Sequence, residues 1–183
     1  MAMTSSNMLA LGTEAPDFAL PDIVTNQTLT LGDFAPQRAL LVIFLCNHCP
    51  YVIHVREELA RLSRDYTERS VGILGITAND VENYPEDSPE HTRSLARVVQ
   101  FPIVYDATQT VAKAYQAACT PDFFLFDAQR RLVYRGQLDE TRPGRGTADG
   151  RDLRAALNAL LADQPIDPNQ TPSVGCNIKW KRG

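Results

Sequence analysis

The sequence has no lysine or arginine before Arg38 and no long apolar run. A secretory signal carries basic residues ahead of its apolar segment, so we expect none here. The longest apolar run, residues 39–45, is too short to span a bilayer. We therefore expect a cytoplasmic protein with no membrane partner.

The chain also lacks a strong excess of either charge. Its net charge is −4 at pH 7 and its pI is about 5.3, so nothing favours binding to nucleic acid. The hydrophobic fraction of 44% over 183 residues is enough for one buried core. We expect a single domain over residues 1–183, with a core at 11–162 and a C-terminal extension at 163–183.

Cysteine is scarce, yet two of the four cysteines are three residues apart in the segment Cys46-Asn47-His48-Cys49. The apolar run before this segment predicts a strand buried on both faces, and residues 71–77 predict a second one. Between them lies the stripe of an amphipathic helix. Its apolar residues are Val52, Val55, Leu59, Leu62 and Tyr66. The cysteines therefore lie where a strand passes into a helix of a strand–helix–strand unit.

The polar side of this helix carries Glu57, Glu58 and Arg61, which we expect on a solvated face, with Glu57 and Arg61 as a pair. Further along, Ser88-Pro89 predicts the start of a helix that ends near residue 100. The remaining predicted elements are strands at 102–106, 122–126 and 132–136 and helices at 110–116 and from about Arg151. The last helix is expected to bury Leu153, Leu157, Leu160 and Leu161. The short turn at 127–130 makes the strands on either side an antiparallel hairpin.

Three chemistries are open to the cysteine pair: metal binding, disulfide exchange and attack on a peroxide. A cysteine at a helix start faces unpaired N–H groups, which favour the thiolate, and a protonated His48 would act in the same direction. The spacing lets the second sulfur resolve a mixed disulfide. A structural zinc site usually needs a second close pair, whereas Cys119 and Cys176 are single. We therefore favour redox chemistry and expect no bound metal.

Cys119-Thr120-Pro121 is a second notable segment, because a proline cannot donate to a sheet and so indicates a strand start or a cis bond. Cys119 fits a buried apolar role as well as that of a redox partner.

Several segments together resemble the thioredoxin fold, and within it a bacterial peroxiredoxin-like subfamily of the redoxin group. They are Gly12-Thr-Glu-Ala-Pro-Asp-Phe-Ala-Leu20, Cys46-Asn-His-Cys-Pro-Tyr-Val52, Asn83-Tyr-Pro-Glu-Asp-Ser-Pro89, Ala118-Cys-Thr-Pro-Asp-Phe-Phe-Leu-Phe-Asp127 and Gly175-Cys-Asn-Ile-Lys-Trp-Lys181. The resemblance implies an α/β protein with three layers, α/β/α, a mixed central sheet and an N-terminal extension of the peroxiredoxin type.

The thioredoxin pattern makes Cys46 the attacking thiolate, Cys49 the resolving thiol and Pro121 a cis-proline facing the disulfide. Thr120 would then pair its backbone with a bound substrate, as in strand addition. Strongly oxidising enzymes of this fold have a histidine at the second position between their two cysteines. The sequence resembles them in having His48 there, after Asn47. This pattern implies a thiol–disulfide oxidoreductase.

The peroxiredoxin pattern T-x-x-C-P inverts these roles. Cys49-Pro50 matches its end, but Cys46 stands where the family has a threonine that helps to hold the peroxide. Cys49 would be the nucleophile and Cys46 its resolver. We rank this antioxidant peroxidase activity below disulfide exchange, and a non-enzymatic redox sensor or metal-handling module below both.

Either activity implies a thiol reductant and a disulfide (of a protein or a small molecule) or peroxide substrate, with no cofactor, because the cysteines carry the electrons. Cys176 is a possible further redox cysteine. It lies in a tail with Trp180, the one tryptophan of the chain, whose apolar ring is costly to leave unpacked. We expect this tail either to fold back and cover the cysteine pair, where thioredoxin has its own tryptophan, or to bind the outer edge of the sheet or a partner subunit. The oligomeric state is open.

Overall fold

The computed structural model describes residues 3–182, which form ten strands and four α-helices. The strands are β1 (Met3–Ser5), β2 (Ala19–Pro21), β3 (Thr28–Thr30), β4 (Ala39–Phe44), β5 (Val71–Thr77), β6 (Ile103–Tyr105), β7 (Cys119–Thr120), β8 (Asp122–Phe126), β9 (Leu132–Tyr134) and β10 (Val174–Asn177). The helices are α1 (Pro50–Tyr66), α2 (Pro89–Val99), α3 (Thr110–Ala114) and α4 (Arg151–Leu161). Single 3₁₀ turns cover Leu31–Phe34, Thr67–Arg69 and Pro85–Asp87.

The central sheet has the strand order β6-β5-β4-β8-β9 and is mixed. β4 is parallel to β5 and antiparallel to β8, and β8 continues into the antiparallel hairpin with β9. The predicted mixed sheet and hairpin are confirmed. Every residue of β4, β5 and β8 is buried, as expected for strands covered on both faces.

Side chains of β4 alternate between two apolar clusters, one on each face of the sheet. Leu41 and Ile43 pack with the buried stripe of α1 and with α2 and α4. Leu40, Val42 and Phe44 pack on the other face with α3 and with parts of the N-terminal segment. Helices thus cover both faces, giving the predicted three layers.

Two sequence-based expectations about helix surfaces are wrong. Glu58, which was expected on the solvated face, is buried with 2% exposure. Arg61 forms its ion pair with Glu58, at 2.6 Å, and not with Glu57. Arg154 of α4 donates to the other oxygen of Glu58, also at 2.6 Å. The stripe of α1 predicts only which residues face the sheet, whereas α4 packs along the flank of α1 and covers Glu58.

In α4 itself, Leu153 and Leu157 are buried as expected, but Leu160 and Leu161 are only partly buried.

The C-terminal strand β10 forms a second, three-stranded sheet with the order β1-β10-β7. Both pairings are antiparallel, and Cys176 stands opposite Thr120 of β7. No strand was predicted in the tail, because its pairing partners lie more than fifty residues away in the sequence. The expectation that the tail folds back is confirmed. Among residues 3–182, no helix combines the length and apolar character needed to cross a membrane.

Candidate active site at the cysteine pair

Cys46 and Cys49 lie in the short connection between β4 and α1. Cys49 is the N-cap residue of α1, and Pro50 is the first residue of that helix. The two cysteines are 1% and 0% exposed, and both are free thiols. The connection therefore buries both sulfurs and sets Cys49 at the positive end of a helix.

Thr120 contacts both sulfurs from the opposite side of the site. Its Oγ1 atom is 3.3 Å from Cys46 Sγ, and its carbonyl oxygen is 3.2 Å from Cys49 Sγ, which donates to it when protonated. The peptide bond between Thr120 and Pro121 is cis. The two segments picked out separately in the sequence thus form one site.

The two thiols share their protons unequally. A hydrogen bond from Cys46 lowers the pKa of Cys49 to about 4 from its ordinary value of 9.0, although burial opposes this shift. The same hydrogen bond raises the pKa of Cys46 far above its usual range, and burial and the charge of Asp87 act in the same direction. Both shifts favour the thiolate at Cys49 and the proton at Cys46.

Smaller contributions also stabilise the Cys49 thiolate. Cys176 and the Thr120 side chain donate to it, and the amide of Val52 adds a weaker effect.

Asp87 organises the loop between the cysteines, and sequence reasoning gave it no role. Its Oδ1 accepts the backbone N–H groups of Asn47 and His48, at 2.9 and 3.1 Å. Its Oδ2 accepts from the amide of Asn79 at 2.7 Å. The carboxylate is fully buried. The motif 83–89 was the available signal, but nothing local in it indicates that Asp87 points into the site.

His48 is held between Asp87 and an aromatic ring. Its Nδ1 is 2.6 Å from Asp87 Oδ2, and its ring stacks on Tyr84 with centroids 6.2 Å apart and planes 5° apart. The N–H direction does not point at the oxygen, so the contact is an ion pair when His48 is protonated rather than a directed hydrogen bond. Asn47 is fixed by donating its side chain to the carbonyl of Glu86, at 3.0 Å.

Cys46, His48 and Asp87 could offer ligand atoms to a metal, since these atoms lie within 4.8 Å of one another. The geometry fits this use poorly. Tetrahedral zinc bonds of about 2.0–2.1 Å keep neighbouring N and O ligands about 3.3 Å apart, whereas His48 Nδ1 and Asp87 Oδ2 are 2.6 Å apart. Both oxygens of Asp87 also already accept hydrogen bonds.

The other two cysteines face opposite ways. Cys119 points away from the site, toward the carbonyls of Pro121 and Ser173, and burial raises the pKa of its thiol. Cys176 faces the site, where burial, followed by its hydrogen bond to Cys49, raises its pKa to about 12. The tail thus brings a third sulfur to the pair.

Trp180 does not cover the cysteine pair: its ring is 40% exposed and lies 5.9 Å from Lys113 Nζ.

Comparison with known proteins gives the family. Residues 10–157 match the family model described as Redoxin. The chain is 24% identical over 180 residues to Peroxiredoxin 2 of Picrophilus torridus, covering 94% of this chain and 83% of that protein.

Two solved structures superpose over nearly the whole chain. An uncharacterized conserved protein of Geobacillus kaustophilus is 48% identical with a TM-score of 0.96, covering 100% of this chain and 98% of that one. A hypothetical protein of Sinorhizobium meliloti 1021 is 47% identical with a TM-score of 0.95, covering 98% and 100%.

More distant structures share the fold. One is the thioredoxin domain of a thiol-disulfide oxidoreductase of Bacteroides vulgatus, with 21% identity, a TM-score of 0.58 and coverage of 69% of this chain and 88% of that one. The chain belongs to the Redoxin family and is a peroxiredoxin-like oxidoreductase with the thioredoxin fold.

Proposed function

We propose that the protein is a thiol-dependent peroxidase in which Cys49 attacks a small hydroperoxide and Cys46 resolves the product. One observation carries this proposal: Cys49 is the N-cap residue of α1, at the positive end of the helix, and its hydrogen bond with Cys46 lowers its pKa. The nucleophile is the thiolate, so this position supports Cys49 as the attacking residue. This inverts the order of attack that the thioredoxin pattern implies.

The reaction balances with the two thiols alone. The Cys49 sulfur bonds to the terminal peroxide oxygen, the O–O bond breaks, and the departing alkoxide takes up a proton from solvent and leaves as the alcohol. Cys49 is then a sulfenic acid. The Cys46 sulfur attacks it, the S–O bond breaks, and water leaves as the disulfide forms. An external thiol reductant restores both thiols.

Access to the sulfurs supports a small substrate. Both cysteines are buried, so a large substrate could not reach either sulfur without displacing the chain around it. A peptide bound by strand addition would need the backbone of Thr120, but β10 already pairs with it. A hydroperoxide needs neither a groove nor a free strand edge.

Thr120 also supplies a hydroxyl group, which the chain lacks at position 46. The peroxiredoxin pattern has a threonine three residues before its cysteine, where this chain has Cys46. The hydroxyl of Thr120 lies 3.3 Å from Cys46 Sγ and also stabilises the Cys49 thiolate. The Thr120 hydroxyl is therefore a candidate to hold the peroxide oxygen, and it comes from a distant part of the chain.

Disulfide exchange is the second candidate, favoured by the hydrogen bond between the two cysteines. It makes Cys46 the attacking group. Its substrate would have to displace β10 or approach the loop at Asn47 and His48.

Single substitutions separate the two candidates. Cys46→Ser and Cys49→Ser are assayed for hydrogen peroxide consumption and for reduction of insulin disulfides, with dithiothreitol as reductant. We expect Cys49→Ser to abolish peroxide consumption, and Cys46→Ser to retain oxidation of Cys49. Cys119→Ser, whose thiol faces away, is the matched control and should keep full activity. Peroxide consumption that survives in Cys49→Ser would overturn the proposal, as would insulin reduction that depends on Cys46 without any peroxide turnover.

A further inference from the structure

We propose that Cys176 is a third redox-active cysteine, which forms a reversible disulfide with Cys49 and carries the oxidation from the buried pair to the C-terminal strand. The peroxide-driven step rests on the proposed function. The pairing of the two sulfurs rests on the structure of the tail alone.

The register of β10 aims Cys176 at the site. Cys176 stands opposite Thr120 in the antiparallel pair, so the two side chains project to the same face of the small sheet. Thr120 on that face contacts both Cys46 and Cys49. Cys176 belongs to the same buried cluster as Cys46 and Cys49, and its thiol lowers the pKa of Cys49.

Gly175 holds the strand close enough for this contact. A Cβ atom at position 175 would lie 2.0 Å from the carbonyl oxygen of Thr120, so no larger residue fits without moving β10. Cys176 is 4% exposed, and β1 pairs with β10 on its other edge. The third sulfur is therefore fixed in place rather than carried on a free tail.

Cys119 provides an internal contrast. It is adjacent to Thr120 in β7, so alternation along the strand turns its side chain to the opposite face. Its sulfur lies 3.6 Å from the Pro121 carbonyl and 3.9 Å from that of Ser173. Two buried cysteines thus lie on the same small sheet, and only Cys176 faces the nucleophile.

Two balanced reactions lead to the new disulfide. In the first, Cys176 attacks the sulfenic acid of Cys49, the S–O bond breaks, and water leaves as the S–S bond forms. In the second, deprotonated Cys176 attacks Cys49 within the Cys46–Cys49 disulfide, and Cys46 leaves as the thiolate and takes up a proton. Neither reaction needs an oxidant beyond the peroxide that has already reacted.

The test uses the full-length Cys46→Ser variant, in which Cys49 has no partner within the loop. It is treated with hydrogen peroxide and, separately, with diamide, which oxidises neighbouring thiols without a sulfenic acid. Free thiols are then blocked and tryptic peptides are mapped by mass spectrometry. Trypsin separates Cys49, Cys119 and Cys176, because it cleaves after Arg56, Lys113 and Arg154.

We expect a Cys49–Cys176 cross-linked peptide after either oxidant, with Cys119 free, and release of both thiols by dithiothreitol. Adding Cys176→Ser should leave a Cys49 sulfenic acid that dimedone traps, whereas adding Cys119→Ser should change nothing. A dimedone adduct on Cys49 while Cys176 stays free in the Cys46→Ser variant would overturn the inference, as would a disulfide between Cys176 and Cys119.

The outcomes also separate this inference from the proposed function. If peroxide leaves Cys49 reduced while diamide still links it to Cys176, the peroxidase proposal fails and the pairing of Cys176 stands. If neither oxidant links the two, the pairing fails. Gly175→Ala keeps the Cys176 thiol but displaces its strand, so the yield of the cross-link should fall several-fold in the Cys46→Ser background.

Discussion

The carboxylate of Asp87 accepts the backbone N–H of His48 at 3.1 Å, although the two residues are 39 positions apart in the chain. The same oxygen accepts the N–H of Asn47. Asp87 thus fixes the peptide units between the two redox cysteines and places a negative charge near Cys46. It acts on the chemistry through the loop, as a positioning residue.

Replacing Asp87 should disturb the cysteine loop more than the fold. In Asp87→Ala, two backbone N–H groups and the Asn79 amide lose a charged acceptor, which we expect to cost about 3 kcal/mol of unfolding free energy. We also expect peroxide turnover to fall by at least tenfold, and the thiolate pH profile of Cys49 to shift. Denaturant unfolding and ultraviolet thiolate absorbance measure these effects.

Glu86→Gln is the control for Asp87, since Glu86 is the neighbouring carboxylate and its oxygen lies 4.0 Å from His48 with half its side chain exposed. It should leave stability and turnover nearly unchanged. Equal effects of the two substitutions would contradict the role assigned to Asp87.

The Cys49 thiolate should persist to acid pH. Its folded pKa of about 4 lies below the ordinary 9.0, so it stays charged through the neutral range and is protonated only as the pH falls toward 4. Stability linked to this group is present above the unfolded pKa and is lost as the pH falls through the folded one. Ultraviolet absorbance of the thiolate, read as wild type minus Cys49→Ser, should fall with a midpoint well below 7. A midpoint between about 8 and 9 would refute the assignment of the charge.

Removing the Cys46 thiol should move this midpoint upward, because its hydrogen bond is the largest favourable contribution to the Cys49 thiolate. Cys46→Ala removes the donor, while Cys46→Ser keeps a hydroxyl and should shift the midpoint less. The same absorbance titration tests both variants. Identical midpoints in wild type and Cys46→Ala would show that the loop and helix alone stabilise the thiolate.

Asp122 should make the protein less stable as its carboxyl ionises. Burial raises its pKa to about 6 from 3.8, and its Oδ1 has no hydrogen-bond partner among residues 3–182. A raised carboxyl pKa means that the folded state binds the extra proton, so stability falls as pH rises from about 4 to 6. At 1.36 kcal/mol per pKa unit the effect is about 3 kcal/mol.

Asp122→Asn should therefore flatten this part of the stability curve. We expect the variant to gain on wild type as the pH rises from about 4 to 6, in denaturant unfolding followed at several pH values. Its amide oxygen still accepts the N–H of Ala118, which Asp122 binds at 3.1 Å. A constant difference across this range would exclude Asp122 as the titrating group.

Glu58 should matter for stability and not for redox chemistry. Its buried carboxylate joins Arg61 of α1 to Arg154 of α4. Glu58→Ala removes both contacts and leaves a gap between the helices, which we expect to cost about 3 kcal/mol. Glu57→Ala, on the exposed neighbour, should cost almost nothing. Thermal unfolding compares the two, and a large loss of peroxide turnover at normal folded content would contradict a purely structural role.

The sequence by itself determined the central layers of this protein. The apolar runs of β4 and β5, the stripe of α1 and the Ser88-Pro89 start of α2 depend on local periodicity and capping, and each lies where the pattern predicts. The same patterns placed Cys46 and Cys49 between strand and helix. These features were readable because each depends on residues a few positions apart.

Only the tertiary structure decided which atoms meet at the sulfurs. Asp87, Thr120 and Cys176 approach the cysteine pair from three distant segments, and hydrogen bonds between segments have no local signature in the sequence. The same holds for Glu58, which is covered by a helix that begins more than ninety residues later. The order of the two thiols in the proposed function rests on these contacts, because which sulfur holds the proton depends on its donors and its burial rather than on its place in the chain.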